Sequence, residues 1–162
     1  RAFDTCKNLH RIYLPNSLQV IGQNSFNMCE NLRLDSLPRN LKRIEYGAFW
    51  DCCRITISKI PNTVTFIGGK AFTLCESIRE LALPDSVTEI KERTFAGCTA
   101  LRTLTLENPV GFEINRAGIQ AAFQGVTLNV IYVPYGSADS YKSKNKSSYS
   151  NYESIIKSIV IQ

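Results

Sequence analysis

The stretch AFTLCESIRELALPDSVTEIKERTF, residues 71–95, begins and ends on a small residue followed by Phe, and its two Phe residues are 23 positions apart. The same interval separates five Phe residues along the chain: Phe3, Phe26, Phe49, Phe72 and Phe95. Five Cys residues keep it too: Cys6, Cys29, Cys52, Cys75 and Cys98. Columns of Pro, Ile and Leu or Val repeat in the same register. The chain is therefore predicted to be a coil in which each turn presents the same residues to the next.

Stacked turns of such a coil place equivalent residues about 4.8 Å apart, which is the spacing of adjacent strands. The Phe column then becomes an internal aromatic ladder, and the aliphatic columns fill the core beside it. The segment IRELALP, residues 78–84, reads as a short parallel strand that ends at Pro84, because proline has no N–H for a neighbouring turn. The segment DSVTEIKERTF, residues 85–95, reads as the limb that returns to the core.

The pattern Phe-x-x-Cys-x-x-Leu-x-x-Ile-x-Leu-Pro-x-x-Leu-x-x-Ile-x-x-x-Ala-Phe resembles the BspA-like leucine-rich repeat, also called the Treponema pallidum type, over residues 1 to about 106. The expected fold is an α/β-type repeat solenoid, mostly β. It would be a leucine-rich repeat coil with 23-residue turns, short parallel strands on one face and irregular returning limbs. The stretch LNVIYVPYGSADSYKSKNKSSYSNYESI, residues 128–155, is similar to the closing segment of such proteins in gut Bacteroidetes.

The predicted organisation is repeats over residues 1–128 and a C-terminal capping segment over 129–162. An irregular insertion at about 107–122 is expected, because Phe95 and Phe123 are 28 residues apart. The chain opens on RAF without Met, and no signal peptide is recognisable. We therefore expect a fragment or mature product of something longer, incomplete at its N-terminal repeats.

Two turns depart from the strand pattern. The middle strand position is apolar in three repeats but is Asp35 and Ser58 in the other two, where Leu34 and Ile57 stand one residue earlier. A shift of one residue moves a side chain to the other face of a strand. Either these turns contain a bulge, or the two apolar residues are exposed.

Composition and motifs argue against several kinds of chemistry. No run of about 18 apolar residues codes for a membrane span. His10 is the sole His and has no evident partner for a catalytic site, so we expect no catalytic residue, no cofactor and no metal site. IGGK (residues 67–70) lacks the phosphate-loop spacing. The net charge is +5. Lys142, Lys144 and Lys146 could hold a polyanion or simply form a solvated loop, and no nucleic acid is expected.

The periodic cysteines favour buried free thiols, because a 23-residue spacing does not match a zinc site and parallel Cβ vectors suit bridging poorly. Disulfides remain the alternative. Cys53 stands in an otherwise polar column, so we expect it to be the most exposed thiol.

An extended strand face is the surface that solenoids use for binding. The candidate partner-binding residues on it are Arg11, Tyr13, Ser36, Lys59, Glu80 and Thr103. Trp50 is added because exposed Trp is enriched at interaction sites, although it could instead lie flat on an adjacent turn.

The BspA-like resemblance implies a non-enzymatic recognition module, extracellular or in the bacterial cell envelope. It implies adhesion to an unidentified host or bacterial surface protein or glycan. The alternatives are a structural spacer or scaffold repeat region of a larger protein, and an intracellular scaffold of a protist.

Overall fold

A computed structural model describes residues 1–109, 113–114, 121–144 and 150–159, which wind into a coil whose turns lie side by side. The helical elements include α1 (Ala138–Lys144) and a 3₁₀ helix (Ser150–Ile155). In the described part of the chain the strands are β1 (Val20–Ile21), β2 (Arg43–Ile44), β3 (Phe66–Ile67), β4 (Glu80–Leu83), β5 (Glu89–Ile90), β6 (Thr103–Leu106), β7 (Glu113–Ile114), β8 (Val130–Pro134) and β9 (Ile156–Ile159).

The strands pair in parallel along two sides of the coil. On one side the sheet order is β4-β6-β8-β9, with Leu81 opposite Leu104. On the other side β1, β2 and β3 form a sheet, and β5 pairs with β7. In the first turns, residues that are one repeat apart lie opposite each other: Ile21 is opposite Ile44, and Ile44 is opposite Ile67. The mostly β solenoid is therefore confirmed, and its returning limbs are more regular than expected because they carry two-residue strands.

The predicted aromatic ladder runs through the centre of the coil. Adjacent rings stack with centroids 5.2 to 5.6 Å apart and with planes within 17° of parallel. The ladder includes Phe123, whose ring lies 5.2 Å from that of Phe95 despite the 28-residue interval. The extra residues therefore leave the core stack intact. Much of the predicted insertion, 110–112 and 115–120, lies outside the described residues.

The four Phe residues from Phe26 to Phe95 in the ladder each lie between two corners where the backbone adopts a left-handed conformation. Two residues after Phe72, Leu74 has φ 60°, and two residues before it, Lys70 has φ 57°. This conformation costs a non-glycine residue roughly 1–2 kcal/mol, so glycine is favoured at such corners. Gly47 fills one of them at φ 61°, where an added Cβ would lie 2.2 Å from Oδ1 of Asn24. Other corner residues are Thr5, Asn24, Met28, Asp51, Arg93, Gly97 and Gly125.

The corners are held by hydrogen bonds between turns. The amide of Phe72 donates to the carbonyl of Thr94 at 2.9 Å, and the amide of Leu74 donates to that of Ala96 at 2.8 Å. The bent backbone can therefore satisfy its polar groups in the neighbouring turn, as a buried backbone must.

The cysteines of the repeated column form hydrogen bonds between turns as well as packing in the core. The Cys98 thiol donates to the carbonyl of Phe72 in the preceding turn at 3.1 Å. Cys29, Cys52 and Cys75 repeat this contact at 3.0 to 3.1 Å. These four cysteines are fully buried and free. The prediction of five buried thiols is wrong for Cys6, which is exposed.

The third turn contains a bulge at its shifted strand residues. Ile57 and Ile60 are buried, whereas Ser58 and Lys59 between them are both exposed. A regular strand alternates inward and outward residues, so two outward residues in a row mark a bulge. The bulge keeps the register, since Lys59 still pairs with Ala82.

The second turn follows the same pattern less completely. Leu34 is half-buried, and Asp35 and Ser36 are both exposed. The second alternative, exposure of the shifted apolar residues, is therefore not what the coil adopts.

The C-terminal residues continue the sheet of β4 and β6. Tyr141 of α1 is fully buried, and its hydroxyl donates to the carbonyl of Asn108 at 2.5 Å. The division into repeats and cap at residue 128 stays a prediction, because one sheet runs across it. In the described residues, no helix has the length and apolar character needed to cross a membrane.

Replacing Phe72 by Ala should lower the free energy of unfolding by about 3–5 kcal/mol, because it removes a central ring from a close-packed stack. Phe72 is 1% exposed and touches rings on both sides. Chemical denaturation of the variant measures the loss, with Thr88→Ala on the exposed limb as control. A loss below about 1 kcal/mol for Phe72→Ala would contradict the central place of the ladder.

Candidate functional site

The strand face is the outward surface of the turns that carry β4 and β6, together with the same positions of the other turns. Its register is visible in one row of paired residues: Lys59 with Ala82, Ala82 with Thr105, Thr105 with Tyr132, and Tyr132 with Lys157. Neighbours in this row are about 4.8 Å apart. The strand face is therefore a continuous surface that spans several turns.

Six of the seven candidate residues belong to this surface. Thr103 is half-buried, and the other five are exposed: Arg11, Tyr13, Ser36, Lys59 and Glu80. Tyr13 is the most accessible aromatic of the group, with 83% of its surface exposed. That these residues contact a partner stays a prediction.

Three open depressions lie on the strand face. One, of about 570 Å³, runs between the first two turns and is lined by Arg11, Tyr13, Asp35 and Ser36 among others. A second, of about 440 Å³, adjoins Lys59 and shares Asp35 and Ser36 with the first. The bulged turns therefore shape both hollows.

The third depression, of about 630 Å³, lies farther along the coil, around Arg79 and Glu80. Thr56, Ser58 and Glu76 also line it. Its walls carry guanidinium, carboxylate and hydroxyl groups, which suits polar ligand groups.

Lys59 is not a free cation on this surface. Its ammonium nitrogen lies 3.2 Å from Oε1 of Glu107, two turns farther along the coil. The side chain spans the turn that contains Ala82, its paired neighbour, where a small residue leaves the path open. A ligand carboxylate at this point would have to compete with Glu107.

The structure separates Trp50 from the other candidates. Its half-buried ring has the ammonium of Lys70, from the next turn, 4.8 Å above its centroid. The same ammonium lies 5.8 Å from the ring of Tyr46. A Cβ on Gly68 would come within 2.4 Å of the Tyr46 amide nitrogen, so the IGGK segment serves close packing of turns. Trp50 thus belongs to a limb-side cluster with Tyr46 and Lys70.

His10 is exposed, with Nδ1 2.7 Å from the carbonyl oxygen of Asn8. Among the described residues, no group of three or more His, Cys, Asp or Glu is arranged to hold a metal ion. Of the basic cluster near the C-terminus, Lys142 and Lys144 belong to α1, and Lys146 lies outside the described residues.

The prediction that Cys53 is the most exposed thiol is wrong. Cys53 is half-buried, whereas Cys6 is exposed. Burial, followed by a hydrogen bond from its thiol to the Asp51 carboxylate at 3.1 Å, raises the pKa of Cys53 to about 12. Burial also raises the pKa of Cys98 to about 12 and that of Cys75 well above its usual value. None of these three cysteines is therefore suited to act as a nucleophile at neutral pH.

Sequence reasoning passed over several residues that line the depressions, notably Arg33, Asp35 and Arg79. A signal for the two arginines was present, because Arg33, Arg79 and Arg102 share one column just before the strand position. The core columns repeat more strictly than this one, so they dominate the pattern of the sequence.

Residues 1–117 match the family model described as "BspA type Leucine rich repeat region", in six copies. The chain belongs to the BspA-type leucine-rich repeat family. Such a region is a repeat or protein-interaction module, and leucine-rich repeat folds are typically non-enzymatic. No curated protein matches the chain.

One solved structure supports the same fold, and two others are similar to this chain at lower TM-scores. A leucine-rich repeat protein of T. pallidum is 27% identical with a TM-score of 0.59, and the match covers 82% of this chain and 62% of that one. A leucine-rich repeat protein from Bacteroides ovatus is 21% identical with a TM-score of 0.49, covering 86% and 46%. A leucine-rich cell surface protein from Faecalibacterium prausnitzii is 17% identical with a TM-score of 0.46, covering 99% and 62%. The BspA-type chain thus spans less than two thirds of these proteins.

Under native conditions a maleimide reagent should label Cys6 first, Cys53 more slowly, and the four buried cysteines only when the protein unfolds. Both the exposure of the sulfur and its thiolate fraction set the rate. Mass spectrometry of time points identifies the labelled peptides. Equal rates for all six thiols would contradict the buried column, and loss of thiols in pairs without reductant would contradict their being free.

The stability of the fold should decline as the pH rises above about 9. An unfolded thiol titrates near 8.5, whereas Cys98 holds its proton to about 12, so this contribution is complete below pH 8.5 and is lost as the pH approaches 12. Each such thiol lowers the free energy of unfolding by about 1.4 kcal/mol per pH unit in that window. Denaturation between pH 8 and pH 11 measures the slope.

The matched variant for this experiment is Cys98→Ser, whose hydroxyl does not titrate in the window and can still donate to the Phe72 carbonyl. Its stability should fall less steeply with pH than that of the unchanged chain. Parallel curves for the two proteins would show that the Cys98 proton is not linked to folding.

Proposed function

We propose that this BspA-type chain is a non-enzymatic recognition module of the adhesin type, which binds a host or bacterial protein or glycan through its strand face. The observation that supports this most directly is the continuity of the strand face, which carries three open depressions across the first five turns. Catalysis needs different groups that converge in a pocket, whereas an extended open surface suits a broad partner.

The depression between the first two turns is the best anchor point on this surface. Tyr13 stands at its edge with 83% of its surface exposed, beside Arg11 and the Ser36 hydroxyl. Tyr and Arg are over-represented among the residues that dominate binding energy. Lys59, Glu80 and Thr103 would extend the contact along the coil. Trp50 would take part only if the partner also reached the limb side.

A location at the cell surface or outside the cell is part of the proposal. It fits a module that presents a broad face to a large partner rather than a pocket to a metabolite. Contact area on such a face grows with the number of turns, so we expect weak binding by one copy. Useful affinity would come from several copies acting together.

The test compares two double variants of the 162-residue chain. Tyr13→Ala with Ser36→Arg removes the aromatic anchor and obstructs the depression. Val20→Ala with Gln19→Arg makes matched changes at exposed positions on the limb. Each protein is displayed in multiple copies and screened against extracellular-matrix proteins, bacterial surface proteins and a glycan array.

Any ligand captured by the unchanged chain should bind the strand-face variant at least about fivefold more weakly and the limb variant equally well, since loss of a central anchor typically costs more than about 1 kcal/mol. The opposite ranking would refute the strand-face assignment. Capture of no ligand would favour a spacer, and turnover of a substrate would refute the recognition role.

A further inference from the structure

A band of exposed polar residues runs along the coil beside the strand face. It consists of the outward-facing residues among three positions of each turn, namely one before, one after and two after the apolar residue at 9, 32, 55, 78, 101 or 128. Its five arginines, named here the arginine band, are all exposed: Arg11, Arg33, Arg54, Arg79 and Arg102. Glu80 is the single carboxylate among these positions, and Asp35 and Glu76 line the adjoining depressions.

Backbone hydrogen bonds between turns hold the band in register. The amide of Arg33 donates to the carbonyl of His10 at 2.9 Å, and that of Arg102 donates to Arg79 at 2.9 Å. The amide of Asn129 continues the row by donating to Arg102 at 2.8 Å. Arg79 and Arg102 are thus on neighbouring turns, and Arg33 is two turns before Arg79. Their side chains start from a rigid line at intervals of about 4.8 Å per turn.

None of the five arginines forms an ion pair with any residue that the structure describes, although other basic residues do. Lys7 pairs with Glu30, Arg43 with Glu45, and Lys59 with Glu107. The Arg102 guanidinium instead donates to the carbonyls of Thr99 and Leu101 in its own turn. The guanidinium groups of the band are therefore not held by carboxylates of the described residues.

The chemistry of the band favours one kind of occupant. Guanidinium groups bind carboxylate and sulfate oxygens in a bidentate manner, and hydroxyl and amide groups from Ser, Thr and Asn lie between them. One arginine in each of five successive turns, with Arg33, Arg79 and Arg102 in a single column, suits a linear polymer with repeated anionic groups. The band contains no Phe, Tyr or Trp, so it lacks the stacking platform that unpaired bases use and the aromatic anchors typical of protein interfaces.

We propose that the arginine band binds a linear anionic polysaccharide, sulfated or rich in uronic acid, laid along the axis of the coil. This proposal rests on the proposed function, because it names a partner class for the same side of the molecule. It shares Arg11 and the depression around Arg79 with the strand face and adds Arg33, Arg54 and Arg102.

The test measures binding of the 162-residue chain to heparin, hyaluronate, neutral dextran and oligothymidylate in a series of salt concentrations. The first double variant is Arg33→Gln with Arg79→Gln, which leaves the carbonyl contacts of Arg102 in place. The control, Lys42→Gln with Arg93→Gln, removes the same charge from exposed limb positions. Thermal denaturation checks that both variants fold.

Heparin or hyaluronate should bind the unchanged chain, more weakly as salt rises, and dextran should not bind. The band variant should bind about tenfold more weakly, with a shallower salt dependence, while the limb control stays close to the unchanged chain. Preference for heparin would identify sulfate as the recognised group, and equal binding of hyaluronate would identify carboxylate.

Equal weakening in both variants would overturn the proposal, because net charge alone would then explain binding. Absence of binding to both anionic polysaccharides would overturn it as well. Tighter binding of oligothymidylate that depends on Arg33 and Arg79 would replace the polysaccharide by nucleic acid. If a protein ligand still depends on Tyr13 and Ser36 in any of these cases, the proposed function stands and only the polysaccharide assignment fails.

Discussion

A phenylalanine ring stacked on its counterpart in the next turn is the contact on which the rest of this coil depends. The rings are 5.2 to 5.6 Å apart, slightly more than the strand spacing of about 4.8 Å, so stacking and backbone pairing can be satisfied together. To bring the ring inward, the backbone turns through a left-handed corner two residues to either side, as at Lys70 and Leu74 around Phe72. The cysteine thiol then donates to the Phe carbonyl of the preceding turn, which ties the ladder to the chain beside it.

The same constraint explains where the chain is free to vary. A core position must suit two neighbouring turns, so its residue type repeats, whereas an outward position faces solvent and can differ in every turn. Two bulged turns, around Asp35 and Ser58, break the strand alternation without disturbing the Phe stack. The depressions next to Tyr13 and Lys59 lie at these breaks. Sequence variation on the strand face thus changes the shape of the surface without disturbing the packing of the Phe stack.

Charged residues are arranged differently on the two sides. On the limb side, Lys70 lies over Trp50, and Arg43 pairs with Glu45 while its guanidinium carbon lies 4.1 Å from the Phe66 ring centroid. Exposed pairs of this kind contribute only about 0–1 kcal/mol, so their main effect is to neutralise that surface. The arginine band beside the strand face has no such partners among the described residues. Arg11, Arg33 and Arg79 of the band line the depressions themselves.

The spacing of Phe72 and Phe95 is enough to predict the solenoid, its parallel strands and the aromatic ladder, because a repeated core leaves a repeated pattern in the chain. Exposure is different, since it depends on which turns cover a residue in space. The polar column of Cys53 indicated exposure, yet that thiol is half-buried and bonded to Asp51, while Cys6 is exposed although the other cysteines of its column are buried. The repeat pattern likewise predicted that Trp50 faces outward, but only the folded coil shows that it lies on the limb side, next to Lys70.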